Sequence, residues 1–223
     1  MTTIRSLRFL SSVLWLSGLL ASILLASGCS IVPEPKADPT RYYVLTMPSD
    51  GAQTGAGEIN KGKPFLTLRA IEVPSYLRAR RNIAVRHGTS EIVYHEFSRW
   101  AETLEAGITR IVSERLIATN SVSGVELRPG RVKRDYDVGI RIIECEGAVP
   151  AAGASPVARF TAEYEITAPG GNAVTGIRQF TAPAADWDGK DASALATLLG
   201  QAAAALADDI ARNLPATPCA GAE

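Results

Sequence analysis

Three cysteines, two histidines and two methionines are few for 223 residues, and aromatic residues make up only 6%. So few soft and imidazole ligands exclude a zinc-finger layout, and no Cys-x-x-Cys pair exists. Charge of neither sign is in excess: Lys+Arg is 23 and Asp+Glu is 23. The first 28 residues hold Arg5 and Arg8 and no acid, which leaves 21 basic against 23 acidic groups beyond them. A domain that grips nucleic acid carries a basic surplus, so that class is excluded. No Gly-x-Ser-x-Gly elbow, no Cys-His pair for nucleophilic attack and no carboxylates set apart by environment are visible. No catalytic residue is assigned, no metal or cofactor is expected, and the chain reads as a non-enzyme. What remains is 46% hydrophobic and 21% charged, enough for one domain with a core.

One long apolar run is present, at the N-terminus. Met1–Arg8 is short and basic, and 9–26 (FLSSVLWLSGLLASILLA) carries no charge. Ala26, Ser27 and Gly28 then lead directly to Cys29. A basic start, an apolar middle and small residues make a secretory signal over 1–28. The cysteine after them resembles the bacterial lipobox, in which that cysteine is acylated and becomes the new N-terminus. Leu25 stands one place earlier than the usual lipobox leucine. An uncleaved membrane helix is the alternative, and the Gly-Cys ending followed by prolines favours the anchor. Stable anchoring needs two or more acyl chains at ~0.8 kcal/mol per buried methylene. Ser30, where an Asp is absent, resembles lipoproteins sorted to the outer membrane, so outer is favoured over inner.

Residues 29–39 then form the lipidated cysteine and a tether with Pro33, Pro35 and Pro39. Polyproline II over Cys29–Thr40 reaches roughly 34 Å at ~3.1 Å per residue. With Cys29 acylated, Cys145 and Cys219 remain as a pair in an oxidising compartment. A disulfide between them and two free thiols, one buried, both stay open, because sequence supplies no Cα separation.

Residues 40–214 read as one domain and 215–223 as a tail. Strands are expected at 41–46, 65–73, 82–86 and 91–95, the last two flanking a His87-Gly88-Thr89-Ser90 turn. A helix over 99–119, capped by Ser98, would carry a stripe of Trp100, Leu104, Ile108, Ile111, Val112 and Leu116. Strands follow at 136–146, 158–167 and 173–181, and Asp191 caps a helix over 192–214 that stops at Pro215. The fold class is α/β (α+β): a two-layer sandwich, mainly antiparallel or mixed sheet, with two long helices on one face. The polar stretch 48–64 reads as a loop.

Gly57–Lys63 fits G-x-x-x-x-G-K, but Pro64 stands where a phosphate loop needs Ser or Thr, and a strand follows instead of a helix. His87 and His95 read as strand-end residues, not ligands. Arg128, Arg131, Lys133 and Arg134 are partly neutralised by Asp135 and Asp137 and read as a solvated turn. Arg78, Arg80 and Arg81 follow Pro74-Ser75-Tyr76-Leu77 with no acid among them. They are open to three readings: lipid headgroups, an acidic partner surface or a solvated turn.

Three segments together resemble a known family. They are Tyr42-Tyr43-Val44-Leu45, Val73-Pro74-Ser75-Tyr76-Leu77 and Phe97-Ser98-Arg99-Trp100-Ala101-Glu102-Thr103-Leu104. Over residues 41–214 the chain is similar to the ABC-type transport auxiliary lipoproteins, the PqiC-like family, with Arg-Trp-Ala-Glu as the most specific element. Thr103 replaces the family's usual Pro, and Arg78-Ala79-Arg80-Arg81 replaces an Asp-Arg-Pro sequence. The resemblance implies a periplasmic lipoprotein that works with an MCE-domain protein and an ABC permease and ATPase in lipid movement between two membranes, supporting envelope integrity. A homo-oligomer is compatible with it. For docking, Tyr76, Leu77, Arg78, Arg80 and Arg81 form the expected contact loop. A lipid carrier would instead show an apolar cavity of several hundred Å³, of order the size of other ligand pockets. An enzyme would show titratable groups gathered in a cleft.

Replacing Cys29 with Ser is expected to abolish acylation. Intact mass and metabolic labelling with a palmitate analogue report it, and label retained on the variant contradicts the anchor.

Overall fold

The structure is a computed structural model and describes residues 36–47, 62–127, 134–150, 154–172 and 174–215. The chain divides into Met1–Pro39 and a domain, Thr40–Glu223, to which all elements below belong. In chain order these are β1 (Arg41–Tyr43), β2 (Phe65–Leu68), α1 (Ser75–Arg78), β3 (Asn82–His87), β4 (Glu91–Trp100), α2 (Leu104–Ala118), β5 (Gly124–Glu126), β6 (Tyr136–Val149), β7 (Val157–Thr167), β8 (Arg178–Thr181), β9 (Ala185–Asp186) and α3 (Ala192–Asn213).

The strands make one nine-stranded mixed sheet. β6 and β7 form its spine, an antiparallel ladder from Asp137↔Thr167 to Ala148↔Val157. On the other edge of β6, β2 pairs in parallel with the N-terminal part and β3 in parallel with the C-terminal part. β4 pairs antiparallel with β3, and β1 parallel with β4. β5 continues beyond β2, while β8 and β9 border β7.

The register of the spine shifts between Ile142 and Glu144. One extra residue reverses the alternation, as a β-bulge does. Before it Tyr136, Val138, Ile140 and Ile142 enter the core; after it Cys145 does. Gly147 also faces that side, because a Cβ there would lie 2.6 Å from Trp187 and 3.1 Å from Leu195. Glu146 is thereby sent to the opposite face.

Both long helices cover the core face. Thr103 caps α2 by accepting from the Ala106 amide, and Leu104, Ile108, Ile111, Val112 and Leu116 are buried. Asp191 caps α3 by accepting from the Ser193 amide, and its buried stripe runs from Leu195 to Ile210. Arg115 clamps the helices together with a two-pronged pair to Asp208, at 2.9 and 3.0 Å. By length and apolarity α3 passes as a membrane span, but half of that window is buried in the domain, as in a core helix. The opposite face of the sheet is polar. Arg69–Glu165, Arg141–Glu163, Arg159–Glu144 and Arg134–Asp137 pair across it at 2.5, 2.8, 3.8 and 2.7 Å.

The two-layer architecture with helices on one face matches the sequence reading, and the sheet is mixed. Three expected boundaries are corrected. Residues 98–100 are not the start of a helix: they pair with Arg41–Tyr43 as strand, and the helix begins at Leu104. Trp100 is still buried, at the strand end instead of on the helical stripe. The expected 65–73 strand stops at Leu68 and returns as a single bridge at Glu72, and the 173–181 strand contracts to Arg178–Thr181. β5 and β9 are too short to carry a pattern.

Gly200 sets the closest contact in the core. A Cβ there would sit 2.1 Å from the Thr46 carbonyl oxygen, which is backbone and has nowhere to go. Gly200→Ala is expected to destabilise the domain by about 2 kcal/mol through overpacking. Urea unfolding measures it, and an unchanged midpoint contradicts the close approach.

Candidate functional site

β2, the Glu72 bridge and β3 all lie in parallel along one edge of β6, at Leu66↔Tyr136, Glu72↔Arg141 and Val85↔Gly147. From the bridge to Val85 the chain uses thirteen residues where β6 uses six, so the excess is looped out. Pro74 causes the departure. It has no N–H for the ladder, and its carbonyl accepts from the Leu77 and Arg78 amides to start α1. Leu77 is 5% exposed and anchors the loop in the core.

Beneath the loop lies Glu146, whose side chain is 0% exposed and is met by Arg86 Nε at 2.5 Å. Arg86 also donates from Nη2 to the Tyr76 hydroxyl at 3.3 Å and lies 5.7 Å from the Tyr76 ring centre. The Tyr94 hydroxyl donates to the Tyr76 carbonyl at 2.9 Å, and the Arg80 guanidinium stacks 5.1 Å from the Tyr94 ring centre. Burial, followed by the Glu146 carboxylate, raises the Tyr76 pKa well above the ordinary phenol value. Burial disfavours the charge on Arg86, but the bond to Glu146 and its charge, together with Tyr76, outweigh it and hold its pKa above the usual value.

The expected contact loop therefore divides by role. Leu77 is a core anchor, Tyr76 is half-buried over the Arg86–Glu146 pair, and Arg78, Arg80 and Arg81 are exposed. The loop's arginines meet other cations that the sequence reading passed over. Arg81 accepts from the Trp100 amide at 2.6 Å, Asn82 stands opposite Arg99, Arg99 opposite Tyr42, and Arg41 opposite Ser98. Arg41 and Arg99 are exposed, as are Tyr42 at 61% and Phe97 at 47%. The missed signal is the pairing of β1 with β4, which joins residues far apart in sequence.

The other candidate residues are placed as follows. Cys29 and Cys219 lie outside the described residues. Cys145 is a buried free thiol, and burial followed by the nearby Glu146 pushes its pKa up to about 12. Of the phosphate-loop decoy, 57–61 lies outside the described residues; Lys63 donates to the Asn120 carbonyl, and the following segment is strand β2. Of the second basic cluster, 128–133 lies outside as well, and Arg134 pairs with Asp137. The loop over 48–61 is likewise outside. His87 is exposed, and His95 lies 6.3 Å from the Trp187 ring, its pKa lowered by burial and then by His87.

Shifted groups elsewhere serve structure. Burial, then the bond to Asp209 at 2.6 Å, pushes Tyr164 up to about 12, and Asn213 donates to the same hydroxyl at 2.9 Å. No group of three metal-ligating side chains occurs among the described residues. Two large depressions are open grooves. One of about 450 Å³ lies on the ion-paired face beside Arg69, Arg141, Glu163 and Glu165. One of about 680 Å³ runs between α2 and Leu68–Ile71, with Glu105, Arg110 and Glu114 on its wall.

The family model described as ABC-type transport auxiliary lipoprotein component matches residues 43–211. The chain belongs to this family. No curated protein matches it. Among solved structures, an uncharacterized protein aligns at a TM-score of 0.59 and 16% identity, covering 79% of this chain and 99% of its own. Protein XCC0632 from Xanthomonas campestris aligns at 0.55 and 15% identity, covering 77% and 90%. At these identities the likeness is one of fold. The auxiliary lipoprotein is thus a component of ABC-type transport in the cell envelope, and its family is one of auxiliary components and not a known enzyme family.

Glu146→Ala is expected to destabilise this lipoprotein by about 3 kcal/mol, because Arg86 is left half-buried and unpaired. Replacing both partners with apolar residues should recover most of the loss, and equal losses would contradict a coupled pair. Stability should also fall as pH rises. The raised tyrosine pKa values give full stability below the unfolded-state value of ~10 and lose it above. For Tyr164 the loss runs to about 12. Tyr164→Phe should flatten the alkaline limb of a pH–stability curve, and an unaltered limb would contradict the assignment.

Proposed function

We propose that this lipoprotein is a non-catalytic auxiliary component of an MCE/ABC-type lipid transport system, and that it supports envelope integrity. Cys29, acylated after removal of 1–28, holds the domain to a membrane through the 29–39 tether, facing the periplasm and on the outer membrane. Its partners are an MCE-domain protein and the ABC permease and ATPase. The observation that carries this reading is the family match over 43–211, together with a domain whose core is filled. The two depressions are open to solvent, with Arg69, Arg141, Glu163 and Glu165 in one and Glu105, Arg110 and Glu114 beside the apolar side chains of the other, and an open groove suits contact with a partner better than an enclosed chamber would. Tyr164 is hydrogen-bonded to Asp209 and Glu146 to Arg86, which supports a structural role for both pairs.

Affinity capture of the tagged, acylated protein from gently solubilised native membranes tests the partnership. Co-recovery of an MCE-domain protein with its permease and ATPase is expected. Recovery of the lipoprotein without them, from cells that express the system, contradicts it.

A further inference from the structure

Five exposed arginines lie along one edge of the domain: Arg78, Arg80 and Arg81 on the looped-out segment, Arg99 at the end of β4, and Arg41 on β1, which alternates to the face opposite Arg99. Register brings them to that edge. Arg81 binds the Trp100 amide, Arg99 lies opposite both Asn82 and Tyr42, and Arg41 lies beside Ser98. All five are exposed, and none forms an ion pair among the described residues. This contrasts with the open face of the same sheet, where Arg69, Arg86, Arg134, Arg141 and Arg159 are each matched to a carboxylate. From Tyr76 to Asn82 there is no acid, and the exposed carboxylates nearest in sequence, Asp38 and Glu96, stand three residues from Arg41 and Arg99. Exposed Tyr42 and Phe97 stand among the arginines.

The tether enters the domain at this edge, since β1 begins at Arg41. Between Cys29 and Thr40 a fully extended chain spans no more than roughly 40 Å. A membrane-anchored domain therefore meets headgroups at high local concentration, and the meeting is favoured for the edge nearest the tether. Unpaired guanidinium groups bind phosphate oxygens two at a time. Tyrosine and phenylalanine suit the interface between headgroups and acyl chains.

We propose that the Arg41–Arg78–Arg80–Arg81–Arg99 edge binds the anionic phospholipid headgroups of the membrane that carries the anchor. The proposal rests on the acylation of Cys29 and is separate from the MCE/ABC partnership. The looped-out segment then holds the domain against the bilayer instead of leaving it free at the end of its tether. Leu77 and the Tyr76–Arg86–Glu146 assembly fix the position from which the loop's arginines project.

The test uses the full acylated chain, its acylation verified by intact mass, in nanodiscs of phosphatidylcholine alone or of a mixture rich in phosphatidylglycerol. Amide hydrogen exchange is compared for peptides covering 41–43, 76–82 and 97–100. Several-fold slower exchange at this edge in the anionic discs is expected, with no change over α3. It should vanish in about 1 M salt, where the screening length is about 3 Å. It should vanish also in the R78Q/R80Q/R81Q variant, whose headgroup binding falls roughly fivefold per arginine, on the order of a hundredfold in all. Those side chains are exposed, and an unchanged unfolding midpoint shows that the variant remains folded. Equal exchange in the two kinds of disc overturns the proposal. So does protection that appears only when solubilised envelope proteins are added, which assigns the edge to an acidic protein surface. No transport partner is in the discs, so failure here leaves the capture experiment standing, and the reverse holds.

Discussion

The reversal of alternation at Ile143 in β6 is the constraint on which the rest of the domain depends. β6 is the strand that β2, β3 and β7 all pair with, so its side-chain parity sets the faces of the sheet. With one residue inserted, Cys145 replaces an even-numbered residue in the core and Glu146 turns to the other side. Gly147 then offers the room that Trp187 and Leu195 fill. A buried carboxylate needs a partner, because removing an ion from water costs several kcal/mol on the scale typical of proteins. Arg86 supplies it from β3, and Tyr76 covers the pair from the loop. The bulge, the buried pair and the loop form one cause-and-effect sequence.

The two faces of the sheet then serve different ends. One is closed by α2 and α3, whose small residues permit close packing, as at Gly200 against Thr46. The other carries neutralised charge in cross-strand pairs, each worth little alone when partly exposed. Unmatched charge is gathered at the edge where the chain arrives. A protein whose core is filled and whose grooves are open presents surfaces in place of a chamber, and that agrees with membership of a family of auxiliary transport lipoproteins.

Much of this was legible in the sequence, for identifiable reasons. Asp191 before a long apolar stripe specified α3 and its cap. The alternation Phe160, Ala162, Tyr164, Ile166 specified β7. Cys145 falls out of step with Tyr136, Val138, Ile140 and Ile142, and the bulge behind it was not read from the sequence but came with the pairing of β6 and β7. The start of α2 was misread because Trp100 falls at helical spacing from Leu104, while its backbone belongs to a parallel pairing with β1. That pairing joins residues nearly sixty apart, and no local pattern contains it. The same distance hid the arginine edge: the triplet Arg78, Arg80, Arg81 was visible, and its neighbours Arg41 and Arg99 were supplied by topology. The Arg86–Glu146 pair was hidden similarly, at a separation of sixty residues.

The central claim is that this lipoprotein acts through its surface and not by carrying lipid inside it. Native mass spectrometry of the acylated protein, released from its own membranes and stripped of detergent in the gas phase, tests this most directly. The account predicts the mass of the processed, acylated chain with no phospholipid in fixed proportion. A one-to-one phospholipid adduct that survives detergent removal, and that persists when the edge arginines are replaced by glutamine, would contradict it.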